Sequence, residues 1–160
     1  MLGLFVASLA AGASPQPSTT SLLNSRWLWA TVDVCSTASS SDVVGIRGSM
    51  PGTGNADEHM YMLFRLQYRD SAGAWDYVKK GGKSRSIYVG TSAYVSRQAG
   101  LDFRLTASTA AGTELRGEVY FDWRIDGRTE HHAVLTTTAG HLVTAGASPR
   151  GLSASHCTIG

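Results

Sequence analysis

The residues whose chemistry is easiest to read in this sequence are its two cysteines, Cys35 and Cys157. In an exported protein, two cysteines most simply form one disulfide. The bridge would close a loop over most of the folded region, which stabilises a domain by about 5 kcal/mol in the chain-entropy model. The alternative is a pair of reactive thiols. Neither cysteine has a C-x-x-C partner, and apart from His156 neither has a basic neighbour, so we predict the disulfide.

Sequence signatures of catalysis are missing. The sequence has no G-x-S-x-G, no H-E-x-x-H and no Gly-rich phosphate loop followed by a helix. A Ser–His–Asp set can be assembled on paper from five His and many Ser, and this availability is not evidence. We therefore predict no catalytic residue and no cofactor. The alternative is an exported hydrolase of unassigned type, which a crevice with two carboxylates or a Ser–His pair would favour.

A polar loop at residues 52–59 contains several side chains of the kind that bind metals. Their spacing is not that of a D-x-D-x-D-G calcium loop. Neighbouring His131 and His132 point to opposite faces of a strand and do not easily share an ion. We predict no metal site. A separate possibility for this loop is that it enters a target enzyme, which would make the protein a proteinaceous inhibitor. The potential metal ligands in this loop are Asn55, Asp57, Glu58 and His59.

Cationic and aromatic side chains lie close together around a predicted basic hairpin. Cations beside aromatic rings can hold anionic polymers or stack on bases or sugars. The alternative is a solvated turn whose lysines protect an edge strand from aggregation. The residues of this hairpin are Trp75, Tyr77, Lys79, Lys80, Lys83 and Arg85.

The clearest alternation of apolar side chains runs from Met60 to Tyr68. If this strand pairs with a strand at 118–125, the outward side chains of both strands form one face. Tyr and Arg are enriched at binding hot spots, so the face is a candidate binding surface. The alternative is ordinary sheet decoration, with Arg65, Asp122 and Arg124 as an opposite-charge ladder. The candidate binding residues are Tyr61, Leu63, Arg65, Tyr120, Asp122 and Arg124.

The N-terminus has the pattern of a signal peptide at residues 1–13. Leu2 to Ala11 is an apolar run too short to cross a bilayer, and Ala11-Gly12-Ala13 follows as a small-x-small cleavage site. No Lys or Arg precedes the run, which departs from the pattern, and the alternative is a buried strand or helix. We predict a secreted, extracellular protein with a flexible Ser/Thr/Pro-rich linker at 14–26 and one domain at 27–160.

Short alternating runs separated by turn residues predict an all-β domain. Trp27 and Trp29 share one face of the first predicted strand, where they either belong to the core or form a platform for sugar stacking. The predicted strands cover residues 27–35, 43–49, 60–68, 75–78, 87–89, 101–105, 119–125, 129–137 and 153–159.

Asp126-Gly127 is a strong signal for a β-hairpin, but its register is open. A three-residue loop would turn His131, Ala133 and Leu135 toward the core. A two-residue loop would instead turn Glu130, His132 and Val134 inward. The second arrangement buries two charged or polar side chains and is therefore disfavoured.

The pattern resembles the immunoglobulin-like and fibronectin type III superfold in its Trp123-bearing strand, tight Asp126-Gly127 hairpin and closing C-terminal strand. The bridge between terminal strands departs from true immunoglobulin domains, whose bridge joins two middle strands. The segment from Gly45 to Gly54 also resembles a group of uncharacterised exported bacterial proteins. These resemblances imply an immunoglobulin-like antiparallel β-sandwich of about 7–9 strands whose terminal strands are joined by a disulfide.

Composition excludes some classes of function. The net charge of +2 is too small for the basic stripe that nucleic-acid binding needs. No second apolar run reaches membrane length, so we expect no membrane span in the mature chain. We predict a monomeric, secreted, non-catalytic binding or structural module, whose partner is an extracellular protein or polysaccharide.

Overall fold

The structure is a computed structural model, and it describes residues 15, 17–37, 40–105, 112–142 and 146–159. Strands dominate these ranges, which confirms the all-β prediction. The predicted signal peptide at residues 1–13 lies outside the described residues. The elements are α1 (Thr19–Leu23), β1 (Trp29–Thr37), β2 (Ser40–Pro51), β3 (His59–Arg69), β4 (Trp75–Tyr77), β5 (Ile87–Thr91), β6 (Ser96–Arg104), β7 (Glu114–Ile125), β8 (Arg128–Thr136) and β9 (Cys157–Thr158).

The strands form two antiparallel sheets, as predicted for a sandwich. The small sheet has the order β1-β2-β6. The large sheet has the order β4-β3-β7-β8, with β5 also paired to β3 and β9 paired to β7. The two sheets therefore share one core and leave two outer faces for other uses.

The core follows from the alternation of side chains along the central strands β3 and β7. From Met60 to Leu66 and from Leu115 to Trp123, every second residue is buried and the intervening residues point outward. Complete burial of a large apolar side chain contributes about 1.5–3 kcal/mol, so these two strands supply much of the driving force. Their fully buried side chains are Met60, Met62, Phe64, Leu66, Leu115, Val119, Phe121 and Trp123.

Close approach of the two sheets depends on a glycine in β7. A Cβ atom added at Gly117 would lie 2.5 Å from Cδ1 of Ile46, which projects from β2 of the small sheet.

Trp123 is the largest fully buried side chain. Its indole Nε1 donates a hydrogen bond of 2.8 Å to the carbonyl of Pro51, so burial leaves this polar atom satisfied.

The predicted disulfide is present. Cys35 on β1 is bonded to Cys157 on β9, and their Cα atoms are 5.5 Å apart. The bridge therefore ties the small sheet to the large sheet near the two ends of the domain. The last strand is shorter than the predicted 153–159, although Ala154 forms an isolated bridge with Val32.

The β7–β8 hairpin combines a two-residue turn with a bulge, an arrangement that the two predicted registers did not include. Asp126 and Gly127 both have positive φ and form a two-residue turn, since Ile125 pairs with Arg128. A bulge then follows, so that Trp123 pairs with His131. The inward side chains are therefore those expected for a three-residue loop, namely His131, Ala133 and Leu135, while Glu130 stays exposed.

The segment predicted as a flexible linker includes the helix α1. Leu22 of this helix is buried in the core. The hydroxyl of Thr19 lies 2.9 Å from Nδ1 of His131 on β8. This part of the chain therefore packs against the large sheet.

Candidate functional site

The outer side chains of β3 and β7 form one continuous surface, which we call the large-sheet face. Tyr61 pairs with Asp122, and Leu63 pairs with Tyr120. Arg65 pairs with Glu118 instead of a predicted residue. The pairing of the two strands that the sequence analysis assumed is thus present, and the six candidate residues lie on this face. Their binding role stays a prediction.

One end of the large-sheet face is an ion-pair cluster around Asp122. The guanidinium of Arg124 donates to the Asp122 carboxylate and also lies 4.4 Å from the ring centroid of Tyr61. Nδ1 of His132 lies 2.6 Å from the other carboxylate oxygen. Partial burial alone would raise the pKa of Asp122, but the hydrogen bonds with His132 and Arg124 outweigh it and lower the pKa.

Arg65 does not complete the expected charge ladder with Asp122. Its guanidinium carbon lies 3.4 Å from the ring centroid of Tyr77, and Nη1 donates to the hydroxyl of Tyr120 at 3.5 Å. Within the described ranges, Arg65 forms no ion pair with a carboxylate, and its Nε is buried without a hydrogen-bond partner. The side chain is held by aromatic contacts, so its charge is only partly compensated.

Glu118 links the tyrosines of this region. Both Tyr77 and Tyr120 donate their hydroxyl protons to the same Oε1 of Glu118, each at 2.7 Å. The hydrogen bond with Tyr120, followed by that with Glu118, raises the pKa of Tyr77 to about 12. The two phenols are thus fixed in orientation. Glu118 was not predicted as a site residue, since nothing in the sequence pattern separated it from other outward residues of β7.

The other end of the large-sheet face is built around Trp75. Arg116 lies over this ring at 4.3 Å and Arg69 at 6.0 Å. Nε of Arg116 also donates to Oε1 of Gln67 at 2.7 Å. Guanidinium groups therefore cover the aromatic rings of Tyr61, Tyr77 and Trp75 in turn.

Apolar surface on this face is scattered among the charged groups. Leu63 is half-buried, and Val134 of β8 is 41% exposed opposite Tyr120. Tyr88 on β5 is 50% exposed, with its ring centroid 5.5 Å from that of Tyr61. Tyr88 and Val134 were not predicted for this face because only the strand order brings β5 and β8 beside β3 and β7.

The predicted basic hairpin separates into two groups. Trp75 and Tyr77 belong to β4 and join the large-sheet face. Lys79, Lys80 and Lys83 lie in the exposed loop that follows. Arg85 is also exposed and lines a groove with Tyr88 and Leu101. Tyr77 and Lys79 nevertheless line one cleft at the end of the sandwich, and the binding role of this hairpin stays a prediction.

The 52–59 loop is fixed from within by Glu58, which is 1% exposed. Its carboxylate accepts a hydrogen bond of 2.5 Å from the hydroxyl of Thr53. Asp57 is exposed, and its amide donates to the side chain of Asn55. In the part of the chain that the structure describes, no three His, Cys, Asp or Glu side chains are grouped to hold a metal. The inhibitor alternative stays a prediction.

The two N-terminal tryptophans have different environments. Trp29 is buried, and its ring stacks on His141 with a centroid distance of 4.8 Å. Burial lowers the pKa of His141. Trp27 precedes β1 and is half-buried, with the guanidinium of Arg26 at 4.8 Å. They therefore do not form an open stacking platform.

A charged cleft on the outer side of the small sheet was not predicted from sequence, and we call it the small-sheet cleft. Nε of Arg47 donates to Asp33 at 2.7 Å, and the Asp33 side chain is only 4% exposed. Burial raises the pKa of Asp33, Asp102 adds to the effect, and Arg47 opposes it without cancelling it. Gly100, Leu101 and Gly146 complete a cleft of about 430 Å³.

Comparisons with known proteins give little further information. No family model matches the chain, and no curated protein matches it. The solved structure of Pseudomonas fluorescens alkylpurine DNA glycosylase AlkC, bound to DNA containing an abasic site analogue, is similar over 68% of this chain and 28% of its own. The identity is 12% and the TM-score is 0.29, so this likeness supports no argument about function. None of the described helices has the length and apolar character of a membrane span.

Proposed function

We propose that this protein is a secreted, non-catalytic binding module that holds an extracellular protein partner on its large-sheet face. The observation that carries the proposal is the continuous surface on which Tyr61, Leu63 and Tyr120 alternate with Arg65 and other charged groups. Tyr, Trp and Arg are the residues most enriched at binding hot spots.

Preorganisation of this face supports tight binding. Arg124 is held by Asp122 and Tyr61, and the hydroxyls of Tyr77 and Tyr120 are both held by Glu118. Each long side chain that is ordered before association saves about 0.5–1.5 kcal/mol of entropy on binding. The central strands beneath are paired along their length and packed on the core, so the partner meets a surface that needs little rearrangement.

The aromatic rings of the large-sheet face are already covered by arginine side chains, which favours a protein partner over a polysaccharide. Stacking against sugars requires open ring faces, whereas guanidinium groups already lie over Tyr61, Tyr77 and Trp75. A protein surface instead offers carboxylates and carbonyl groups for the arginines. Arg65, which has no carboxylate partner among the described residues, is the natural centre of such an interface.

An extracellular location is supported by the disulfide. Bridges of this kind persist in oxidising compartments and are rare in the cytosol. The apolar segment from Leu2 to Ala11, followed by a small-x-small site, has the pattern of an export signal.

Paired serine substitutions test the proposal. The L63S/Y120S variant, the parent protein and a matched control are immobilised, and proteins captured from a cell-surface extract are identified by mass spectrometry. The control is Y94S/V95S, which removes an exposed aromatic and an exposed aliphatic side chain from the β5–β6 turn. We expect a partner that the parent and the control retain and that L63S/Y120S loses, with little change in melting temperature. Equal capture by all three proteins contradicts the proposal.

A second candidate, an exported hydrolase, is favoured by one observation. Asp33, whose pKa is raised by burial, and Asp102 share the small-sheet cleft, and two carboxylates that line one cleft can act as general acid and base. The test is hydrolysis of chromogenic glycosides and esters by the parent, D33N and D102N. Activity that both variants lose supports this candidate, whereas no turnover or unchanged turnover contradicts it.

A further inference from the structure

An apolar cleft opens at the end of the sandwich where β4 leads into the lysine-bearing loop, and we call it the end cleft. Its volume is about 420 Å³, which lies in the range of small-molecule sites. Leu115, a core residue that is 1% exposed, is among the residues that line it. The cleft thus reaches the core between the sheets. The lining residues are Tyr68, Tyr77, Val78, Lys79, Leu105, Thr113 and Leu115.

A narrower cavity adjoins the end cleft. It has a volume of about 50 Å³ and shares Val78 and Leu105 with its neighbour. Phe103 extends the apolar wall, and Lys80 and Arg104 bring two further cations to the border. The end cleft and the adjoining cavity are therefore bordered by three cationic side chains from two parts of the chain, the loop after β4 and the end of β6.

The charge at this border is uncompensated. Lys79, Lys80 and Arg104 are exposed, and in the ranges that the structure covers none of them forms an ion pair with a carboxylate. The nearby acid Asp76 accepts a hydrogen bond of 3.4 Å from the hydroxyl of Tyr68. Lysines that only protect an edge strand need no apolar cleft beside them, so edge protection explains part of this arrangement and not the whole.

We propose that the end cleft binds a single-chain amphiphile with an anionic headgroup, such as a medium-chain carboxylate. The acyl chain lies along Val78, Leu105 and Leu115, where burial of each CH₂ group contributes about 0.8 kcal/mol. The carboxylate is held by Lys79 and its two cationic neighbours. This site shares Tyr77 with the large-sheet face, but its binding of an amphiphile does not depend on the proposed protein partner.

Isothermal titration with monomeric decanoate tests the proposal. We expect saturable one-to-one binding, weaker by about tenfold in the charge-reversal variant K79E/K80E. The matched control K83E/R85E makes the same change of charge nearby but outside both cavities, and it should bind like the parent. Leu105→Phe, which fills the cleft, should abolish binding. If that variant does not fold, the two charge variants decide.

Other ligands separate the contributions of headgroup and chain. Acetate should not bind, and decyltrimethylammonium should bind at least tenfold more weakly than decanoate. Equal binding of the cationic amphiphile, or equal weakening by K79E/K80E and K83E/R85E, overturns the proposal because either result shows non-specific attraction. Absence of decanoate binding also overturns it. Binding to phosphatidylglycerol vesicles without binding to monomeric decanoate overturns it in favour of a membrane surface.

Discussion

The two outer faces of the sandwich use charged groups in opposite ways. On the large-sheet face, Asp122 and Arg124 are partly exposed and lie among aromatic rings. In the small-sheet cleft, the Asp33–Arg47 pair is mostly buried. Exposed pairs contribute little to stability, whereas a buried charge that loses its partner is costly. The large-sheet face is therefore free to serve binding, and the buried pair is committed to the fold or to chemistry in the cleft.

The largest effect is expected from breaking the buried pair. Arg47→Ala leaves the Asp33 carboxylate without its 2.7 Å hydrogen bond in a desolvated position. We expect a loss of about 3 kcal/mol in the free energy of unfolding, measured by urea denaturation. The matched variant Arg124→Ala on the large-sheet face should cost about 1 kcal/mol or less. Equal losses in the two variants would remove the distinction between the faces.

The pH dependence of stability should differ in sign between the two faces. Because the pKa of Asp33 is raised in the native state, this residue contributes stability that is fully present below pH 3.8. The contribution is lost as pH rises through the native pKa. The lowered pKa of Asp122 gives a contribution present above pH 3.8 and lost as pH falls through the native pKa. Urea denaturation across this range should show that D33N and D122N change the pH slope in opposite directions. Slopes of the same sign would contradict this assignment.

A smaller effect is expected within the large-sheet face. Glu118→Gln replaces the carboxylate that accepts both phenolic protons, so the pKa of Tyr77 should fall from about 12 toward its ordinary value of 10. Ultraviolet titration of the tyrosine phenols measures this pKa. The variant Tyr77→Phe identifies which part of the absorbance change belongs to Tyr77. An unchanged titration would show that Glu118 does not contribute to the raised pKa of Tyr77.

Local alternation was sufficient to predict much of this molecule. Met60 to Tyr68 alternates so regularly that its buried and outward faces were evident, and the strand pairing then placed Tyr61 opposite Asp122. The disulfide followed from the presence of only two cysteines. In each case the information lies within one strand or in residue type.

The features that sequence did not predict depend on tertiary structure. Asp33 and Arg47 lie on the neighbouring strands β1 and β2, but Asp102 comes from the distant strand β6, and nothing local indicates that the three meet in one cleft. Tyr77 joins the large-sheet face because β4 pairs with β3. The bulge beside Glu130 was not predicted, although the inward residues of β8 are the favoured ones, because burial of a charged side chain costs more than a local irregularity.

The most direct test of the central claim is hydrogen exchange measured with and without the captured partner. If the partner binds the large-sheet face, amides of β3, β7 and β8 should gain protection, while those of β1, β2 and β6 should exchange as before. Protection confined to the small sheet, or to the loop at residues 52–59, would contradict the claim that this protein binds through its large-sheet face.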